Sequence, residues 1–342
     1  NVDFRDEEIE NIVGGDESSD MDKNEPISWE FKLFIYEMLN HLLDLALGNS
    51  QLIERLKLKI PDIVKLSFLG STSSITEIKL KGIELLNRSL ALFGELEDPL
   101  YPSVSILEQQ QAQIISALIP CFSPGNDYKV IVNAINVSSK FINLPRIKFY
   151  SKQRILKTLI YLLEEISSNK FVRFGFLESM SEFGRKSIQL AILNCWAVLK
   201  IDSYEDPENI EPEFKETLTN YSALLTSLWI LVLREFSTLK YSESSSRELE
   251  IYGNYWINLI SVLSLELERD NEFINQYLPG DAQNFFFILF SQCMESLIKN
   301  RKVPEILTSV KRLVKNPTLV TLLFNDEIFG EIVDLFDRLI LI

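Results

Sequence analysis

The sequence predicts an all-α protein in which antiparallel helix pairs stack into a solenoid. Glycine is scarce, with 12 residues in 342, so the chain has few of the special turns that β-sandwiches and dinucleotide-binding folds need. Apolar residues recur at intervals of three and four along most of the chain, which is the pattern of one buried helix face. No stretch alternates apolar and polar residues long enough to indicate a strand.

Capping and breaking residues divide this pattern into elements. Ser28 is a suitable N-cap for the first helix, Pro61 marks a break or kink in the second, and Gly94 stops the third. The predicted helices are 28–48, 51–69, 75–93, 106–119, 127–144, 150–166, 179–200, 213–240 (one long helix or a broken pair), 246–269, 282–300, 304–314, 319–324 and 328–342.

The stretch ILEQQQAQIISALIPCFSPG, residues 106–125, shows how two such helices are joined. Pro120 removes a backbone donor and restricts the residue before it, so the first helix ends or bends there. Asp127 is placed to cap the next helix, and Pro145 ends it. Together the two helices span about 40 residues, the length of one HEAT-type repeat. The break is therefore interpreted as an inter-helix turn, and the glutamines as a helix flank.

Charge separates the N-terminal segment from the rest. Residues 1–25 contain ten acids against Arg5 and Lys23, a net charge of −8. This composition predicts a segment that is disordered or that orders only on a partner; a bound peptide, or one that folds onto the solenoid, is the alternative left open. Residues 26–342 are predicted to form the solenoid, with a break in the acidic loop near 202–213.

Composition also argues against several classes of protein. The net charge of −15 is opposite to that of most DNA-binding proteins. The three cysteines, Cys121, Cys195 and Cys293, are far apart in apolar contexts, which is typical of reduced core thiols in a cytosolic protein. The apolar run 223–233 is too short to span a bilayer. The four tryptophans are predicted to lie in the core: Trp29, Trp196, Trp229 and Trp256.

Catalytic and metal-binding patterns find almost no support. His41 is the only histidine and falls within the first helix, so a Ser-His-Asp or Cys-His pair has one candidate at most. Zinc sites that need several histidines or clustered cysteines are excluded by count. We therefore expect a protein that is not an enzyme, with no cofactor. An enzyme that uses an unfamiliar carboxylate site is the rival interpretation.

One basic segment stands out in the acidic chain. Between Asp127 and Leu163 there are seven bases and one acid, a net charge of +6. This pattern predicts a docking patch for an acidic or amphipathic peptide or an anionic lipid headgroup, with a solvated helix surface as the alternative. The predicted partner-binding residues are Arg146, Lys148, Lys152, Arg154 and Lys157.

The run that begins EDPLYPSVSILEQQQAQ resembles a segment of the large HEAT-repeat proteins that accompany the clathrin adaptor of the trans-Golgi network. These are the fungal large adaptor-accessory protein and its animal HEAT-repeat relatives. Ile119 departs from the family pattern, which has a basic residue there. The matching residues are Glu97, Asp98, Pro99, Leu107, Glu108, Gln109, Gln111, Ala112, Gln113, Ala117, Leu118, Pro120, Phe122 and Ser123.

Three later pieces, LAILNCWAVL, YGNYWINLISVLSLEL and IVDLFDRLILI, resemble further helices of that family in the same order. The resemblance implies a non-enzymatic scaffold in a HEAT-like α-solenoid. It also implies that accessory partners of the aftiphilin and synergin type link the scaffold to a clathrin adaptor complex. The implied location is cytoplasmic, peripheral on the trans-Golgi network, endosomes and clathrin-coated vesicles. The alternative is a solenoid of another pathway, such as nuclear transport or chromatin assembly.

Overall fold

The computed structural model of the chain describes residues 28–207, 210–242, 246–270, 272–324 and 329–340. Within these ranges the chain forms 17 α-helices and no strand, apart from an isolated bridge between Glu97 and Ser105. The predicted all-α class is therefore confirmed. The acidic segment 1–25 lies outside the described residues. The boundary between this segment and the solenoid, and the break near 202–213, stay predictions.

In chain order the helices are α1 (Trp29–Ala46), α2 (Ser50–Lys57), α3 (Ile60–Ser71), α4 (Thr76–Phe93), α5 (Gln111–Leu118), α6 (Tyr128–Asn143), α7 (Phe149–Ser168), α8 (Glu182–Glu205), α9 (Pro212–Asn220), α10 (Ser222–Tyr241), α11 (Ser246–Gly253), α12 (Trp256–Arg269), α13 (Phe273–Tyr277), α14 (Ala282–Ile298), α15 (Val303–Leu313), α16 (Pro317–Leu323) and α17 (Phe329–Ile340). Short 3₁₀ turns occur at Glu108–Gln110, Ile119–Phe122 and Gly175–Ser179.

The helices form two packed rows. In one row α1 packs on α4, α4 on α6, α6 on α8, α8 on α12 and α12 on α15. In the other row α3 packs on α5 and α5 on α7. Farther along this row α10 packs on α14 and α14 on α17. A continuous apolar core fills the space between the rows. Neighbour-to-neighbour stacking of this kind is the architecture of an α-solenoid, as the sequence predicts.

Local signals account for many of the boundaries. The Ser28 hydroxyl accepts a hydrogen bond from the Phe31 amide at 3.3 Å, and the Asp127 carboxylate accepts one from the Lys129 amide at 2.8 Å, which confirms both predicted N-caps. Pro61 lies in the first turn of α3, so the predicted break separates α2 from α3. Pro120 lies in the 3₁₀ turn that follows α5.

Several elements differ from the prediction. The helix predicted over 106–119 is the shorter α5, and the helix predicted over 246–269 is two helices, α11 and α12. Helix α8 continues to Glu205, past the predicted end at residue 200, because side chains in its last turns dock on other helices. Asp202 accepts a hydrogen bond from the Asn143 amide group, and Tyr204 donates one to Glu266 at 2.6 Å. The five-residue helix α13 was not predicted, since it is too short to show a helical period.

The four tryptophans differ in burial. Trp196 and Trp229 are fully buried, and the Trp229 indole nitrogen donates to the Leu193 carbonyl at 3.0 Å. Trp256 is also buried. Trp29, by contrast, is 45% exposed, so its predicted place in the core is wrong. The reason is positional, because Trp29 is the first residue of α1 and lies about two turns before Tyr36, the first buried residue of the helix.

Helix α10 contains the longest apolar run and is the one described helix whose length and composition would suit a membrane span. Its Leu225, Trp229 and Leu233 side chains are fully buried, and it packs against α8, α12 and α14. These contacts make α10 a core helix of the solenoid. The three cysteines are likewise buried and free, and burial raises the pKa of each thiol to about 12.

Candidate partner-binding surface

The loop before α5 is fixed by a buried carboxylate. Asp98 accepts hydrogen bonds from the amides of Leu100 at 2.8 Å and Tyr101 at 3.3 Å, and from the Gln109 side chain at 2.6 Å. The Ser105 hydroxyl donates to the Gly94 carbonyl at 2.9 Å. The loop therefore has its own polar framework, since buried polar groups are stable only when paired.

Glu108 connects this loop to the start of α7. Its carboxylate accepts from the Lys148 amide at 3.0 Å and from the Ser151 hydroxyl at 3.1 Å. The side chain of Lys148, the N-cap residue, forms no capping hydrogen bond. Glu108 provides the cap instead, from a different segment of the chain. A carboxylate is favoured there because the N-terminus of a helix carries partial positive charge. We call this arrangement the Glu108 clamp.

The Glu108 clamp explains part of the sequence run that carries the family resemblance. Leu107 is fully buried, Glu108 caps α7 and Gln109 binds Asp98. The run therefore holds the solenoid together at this point. The interpretation of the glutamines as a helix flank was incomplete for Gln109, because its partner Asp98 lies in the preceding loop.

The structure separates the five predicted partner-binding residues. Lys152 is only 7% exposed, and its ammonium group donates to the Leu144 carbonyl. Burial lowers the pKa of Lys152 to about 8. Arg146 is half-buried, donates to the Glu95 carbonyl and forms an ion pair with Glu97 at 3.1 Å. Lys152 and Arg146 are thus held by other segments of the chain.

Lys148, Arg154 and Lys157 are exposed. Lys148 lies at the N-cap of α7, whereas Arg154 and Lys157 share one face of the helix with exposed Tyr150 and half-buried Tyr161. These four follow a spacing of four, three and four residues, which aligns them along one side of a helix. We call these four residues the α7 outer face.

Two tyrosines and a further arginine extend this surface beyond what sequence reasoning found. Tyr150 is exposed, and the Arg173 guanidinium lies 3.6 Å from the centre of the Tyr161 ring. Such stacking holds an arginine over an aromatic ring. The helical spacing from Tyr150 to Tyr161 was visible in the sequence, but the position of Arg173 was not, because a loop brings it back onto α7.

A small cavity lies on the inner side of α7. Its volume is about 200 Å³, and its lining includes Asn143, Lys152, Asp202 and Glu211. Burial, followed by the nearby charge of Glu205, raises the pKa of Asp202 to about 6. Shifted acids and bases in one cavity are also a feature of active sites. Here, however, Asp202 is bonded to Asn143 and Lys152 to a backbone carbonyl, so both groups have structural roles.

Metal ligands are not clustered in the described part of the chain. Among those residues there is no group of three or more His, Cys, Asp or Glu side chains arranged to hold an ion. What the fold presents instead is a set of exposed helix faces around a packed apolar core.

Two stacked rows of helices with side chains displayed along their outer faces define the class: an α-solenoid of the HEAT type. The chain belongs to the Laa1/Sip1/HEATR5 HEAT-repeat family, because the model of that family's HEAT repeat region matches residues 55–238. The resemblance stated from the sequence is therefore confirmed.

Two curated relatives show how much of the longer proteins the chain covers. The chain is 31% identical over 365 aligned residues to AP-1 accessory protein LAA1 of Saccharomyces cerevisiae, a match that covers 98% of the chain and 18% of the relative. It is 25% identical over 240 residues to Protein SWEETIE of Arabidopsis thaliana, covering 63% of the chain and 11% of the relative. No solved structure matches the chain.

Proposed function

We propose that this chain is part of a non-enzymatic scaffold that binds accessory partners and helps to localise a clathrin adaptor complex in traffic between endosomes and the trans-Golgi network. The observation that supports the proposal most strongly is the similarity to AP-1 accessory protein LAA1 along 98% of the chain. Membership of a HEAT-repeat family supports a scaffold, because solenoids of this type offer long surfaces to other proteins.

The α7 outer face is the surface that we propose for docking. It presents Arg154 and Lys157 between two tyrosines, with Arg173 stacked on the second. The face spans 11 residue steps, or about 16 Å along the helix, which matches about five residues of an extended peptide. Guanidinium groups pair with carboxylates in a defined geometry, and tyrosine rings add apolar contact area. An acidic segment of an aftiphilin- or synergin-type partner fits this chemistry.

Charge reversal tests the docking surface. The double variant Arg154→Glu/Lys157→Glu should weaken capture of the adaptor complex and its accessory partners by at least about tenfold, because two like charges then face the acidic segment. Lys152 is left intact, since it is buried and its reversal would test folding. The matched control is Lys65→Glu/Lys311→Glu, which changes the same net charge at exposed positions elsewhere.

Two readouts separate the outcomes. Affinity purification of the tagged chain, followed by identification of adaptor subunits, measures binding; fluorescence microscopy measures location. We expect puncta beside the Golgi for the chain and its control, and a diffuse signal for the double variant. Equal recovery of adaptor subunits with both variants would remove α7 from the proposal, and nuclear enrichment of the chain would contradict the trafficking role.

A further inference from the structure

The outward side of α1 carries a second apolar stripe, opposite the side that packs on α4. Buried Tyr36, Leu43 and Ala46 belong to the inner side. The outer stripe is made of large side chains that are 37% to 57% exposed. We call it the α1 outer stripe; its members are Phe31, Ile35, Met38, Leu42 and Leu45. Monomeric soluble proteins rarely leave such a contiguous apolar surface without a binding role.

The spacing of the stripe identifies the shape of its partner. Its members follow one another at four, three, four and three residues, which is the a/d repeat that packs one helix along another. The stripe from Phe31 to Leu45 is about 21 Å long at 1.5 Å per residue. Another helix, lying nearly parallel or antiparallel to α1, therefore matches it better than an extended peptide.

Acidic residues border the stripe on one side. Glu30, Glu37 and Asp44 directly precede Phe31, Met38 and Leu45, so they repeat every seven residues along the same helix. Asp44 is held by two hydrogen bonds from Arg88, at 2.6 and 2.9 Å. Glu30 and Glu37 form no ion pair with a described residue. We call these three acids the α1 acid row.

The α1 acid row selects among occupants by charge. Anionic lipid headgroups would be repelled by it. Residues 1–25, with their net charge of −8, would be repelled as well. A second copy of α1 would bring another acid row to the same seam, where like charges are unfavourable. A helix with basic side chains beside its apolar positions would instead form ion pairs with Glu30 and Glu37.

We propose that the outer side of α1 binds an amphipathic helix of a partner protein, one with apolar residues at four- and three-residue spacing and lysine or arginine residues along the flank. Helix-in-groove and coiled-coil recognition both use such anchors. This surface is separate from the α7 outer face and selects the opposite charge. The inference therefore stands or falls independently of the proposed docking on α7.

A synthetic peptide tests it directly. The probe is a labelled 21-residue helix with leucine at the four- and three-residue spacing and lysine along the flank; a second probe carries glutamate in place of lysine. Fluorescence anisotropy with the purified chain should show that the lysine probe binds at least about tenfold more tightly than the glutamate probe. Circular dichroism should show a gain of helix on binding.

Three variants of the chain complete the test. Met38→Lys/Leu42→Lys should weaken binding of the lysine probe at least about tenfold. Glu30→Lys/Glu37→Lys should reverse the preference, so that the glutamate probe binds better. The control, Leu58→Lys, places a lysine on an apolar residue that is 85% exposed outside α1, and it should bind as the unaltered chain does. Thermal unfolding should be the same for all four proteins.

Each other result counts against the proposal. Binding that survives Met38→Lys/Leu42→Lys would place the peptide elsewhere. Equal affinity for the two probes would remove the role of the α1 acid row. If sedimentation showed a concentration-dependent dimer that Met38→Lys/Leu42→Lys abolishes, the occupant would be a second copy of the chain. Binding of phosphatidylserine vesicles that depends on Met38 and Leu42 would identify a membrane surface.

Discussion

Helices α1 and α7 lie in different rows of the stack, and their outer sides differ in chemistry. Each buries one side against the solenoid, as Leu43 and Leu159 illustrate, and each leaves the other side exposed. On α7 the outer side is basic and aromatic; on α1 it is apolar with an acidic border. The inner sides hold the solenoid together, whereas the outer sides are the surfaces on which we propose that partners dock.

The largest change in stability is expected from a substitution in the apolar core on which both helices pack. Trp229→Ala should lower the free energy of unfolding by about 3–5 kcal/mol, because loss of the buried indole leaves a cavity and removes its hydrogen bond to the Leu193 carbonyl. Trp29→Ala is the matched control and should cost less than about 1 kcal/mol, since nearly half of the Trp29 side chain is exposed. Urea denaturation measures both. Similar costs for the two variants would mean that the edge of the stack is as tightly packed as its centre.

A sharper test compares two lysines of α7 itself. Lys152→Glu should destabilise the chain by about 3–5 kcal/mol, because it leaves an unpaired charge in a buried position facing the Leu144 carbonyl. Lys157→Glu, on the outer side, should change stability by less than about 0.5 kcal/mol. Circular dichroism in urea measures the difference. If Lys152→Glu were tolerated, the inner and outer sides of α7 would not differ in the way described.

The smallest expected effect concerns the cavity behind α7. The pKa of Asp202 is raised to about 6, so the folded chain binds more protons than the unfolded chain between about pH 4 and pH 6. Stability from this group is therefore present at low pH and lost as pH rises through 6. Asp202→Asn should raise the free energy of unfolding at pH 7 by about 1 kcal/mol, after allowance for partial exposure.

Denaturation at pH 4 and pH 7 checks this prediction. The advantage of Asp202→Asn over the unaltered chain should be present at pH 7 and should nearly vanish at pH 4. An advantage that is equal at both pH values would show that the pKa of Asp202 is not raised. In that case protonation of Asp202 would not affect the stability of the contact between α6 and α8.

Much of the fold could be predicted from the sequence, because apolar spacing and capping residues act locally. Ser28, Pro61 and Asp127 set boundaries where the sequence places them. What could not be predicted depends on neighbours. Apolar spacing indicates one buried face on α1, but Met38, Leu42 and Leu45, which fit that spacing, are exposed in the folded chain. The burial of Lys152 likewise depends on a backbone carbonyl, which no side-chain pattern reveals.

The candidate surface was predictable in outline. The cluster of bases around α7 was visible as charge, and Lys148, Arg154 and Lys157 are exposed as docking residues need to be. Arg146 and Lys152 were placed in the same set because charge counting does not distinguish a base paired inside the protein from one that faces solvent. The tertiary contacts of each base make that distinction, and they involve segments that are distant in the sequence.

The Glu108 clamp bears on the order in which the chain folds. Glu108 acquires its partners only when residues 148–151 are present, about forty residues later in the chain. During synthesis the Glu108 carboxylate therefore cannot form these hydrogen bonds until the start of α7 has been made. The bonds of Asp44 with Arg88 and of Asp202 with Asn143 join residues 44 and 59 positions apart, so the clamp is one of several closures over long segments of the chain.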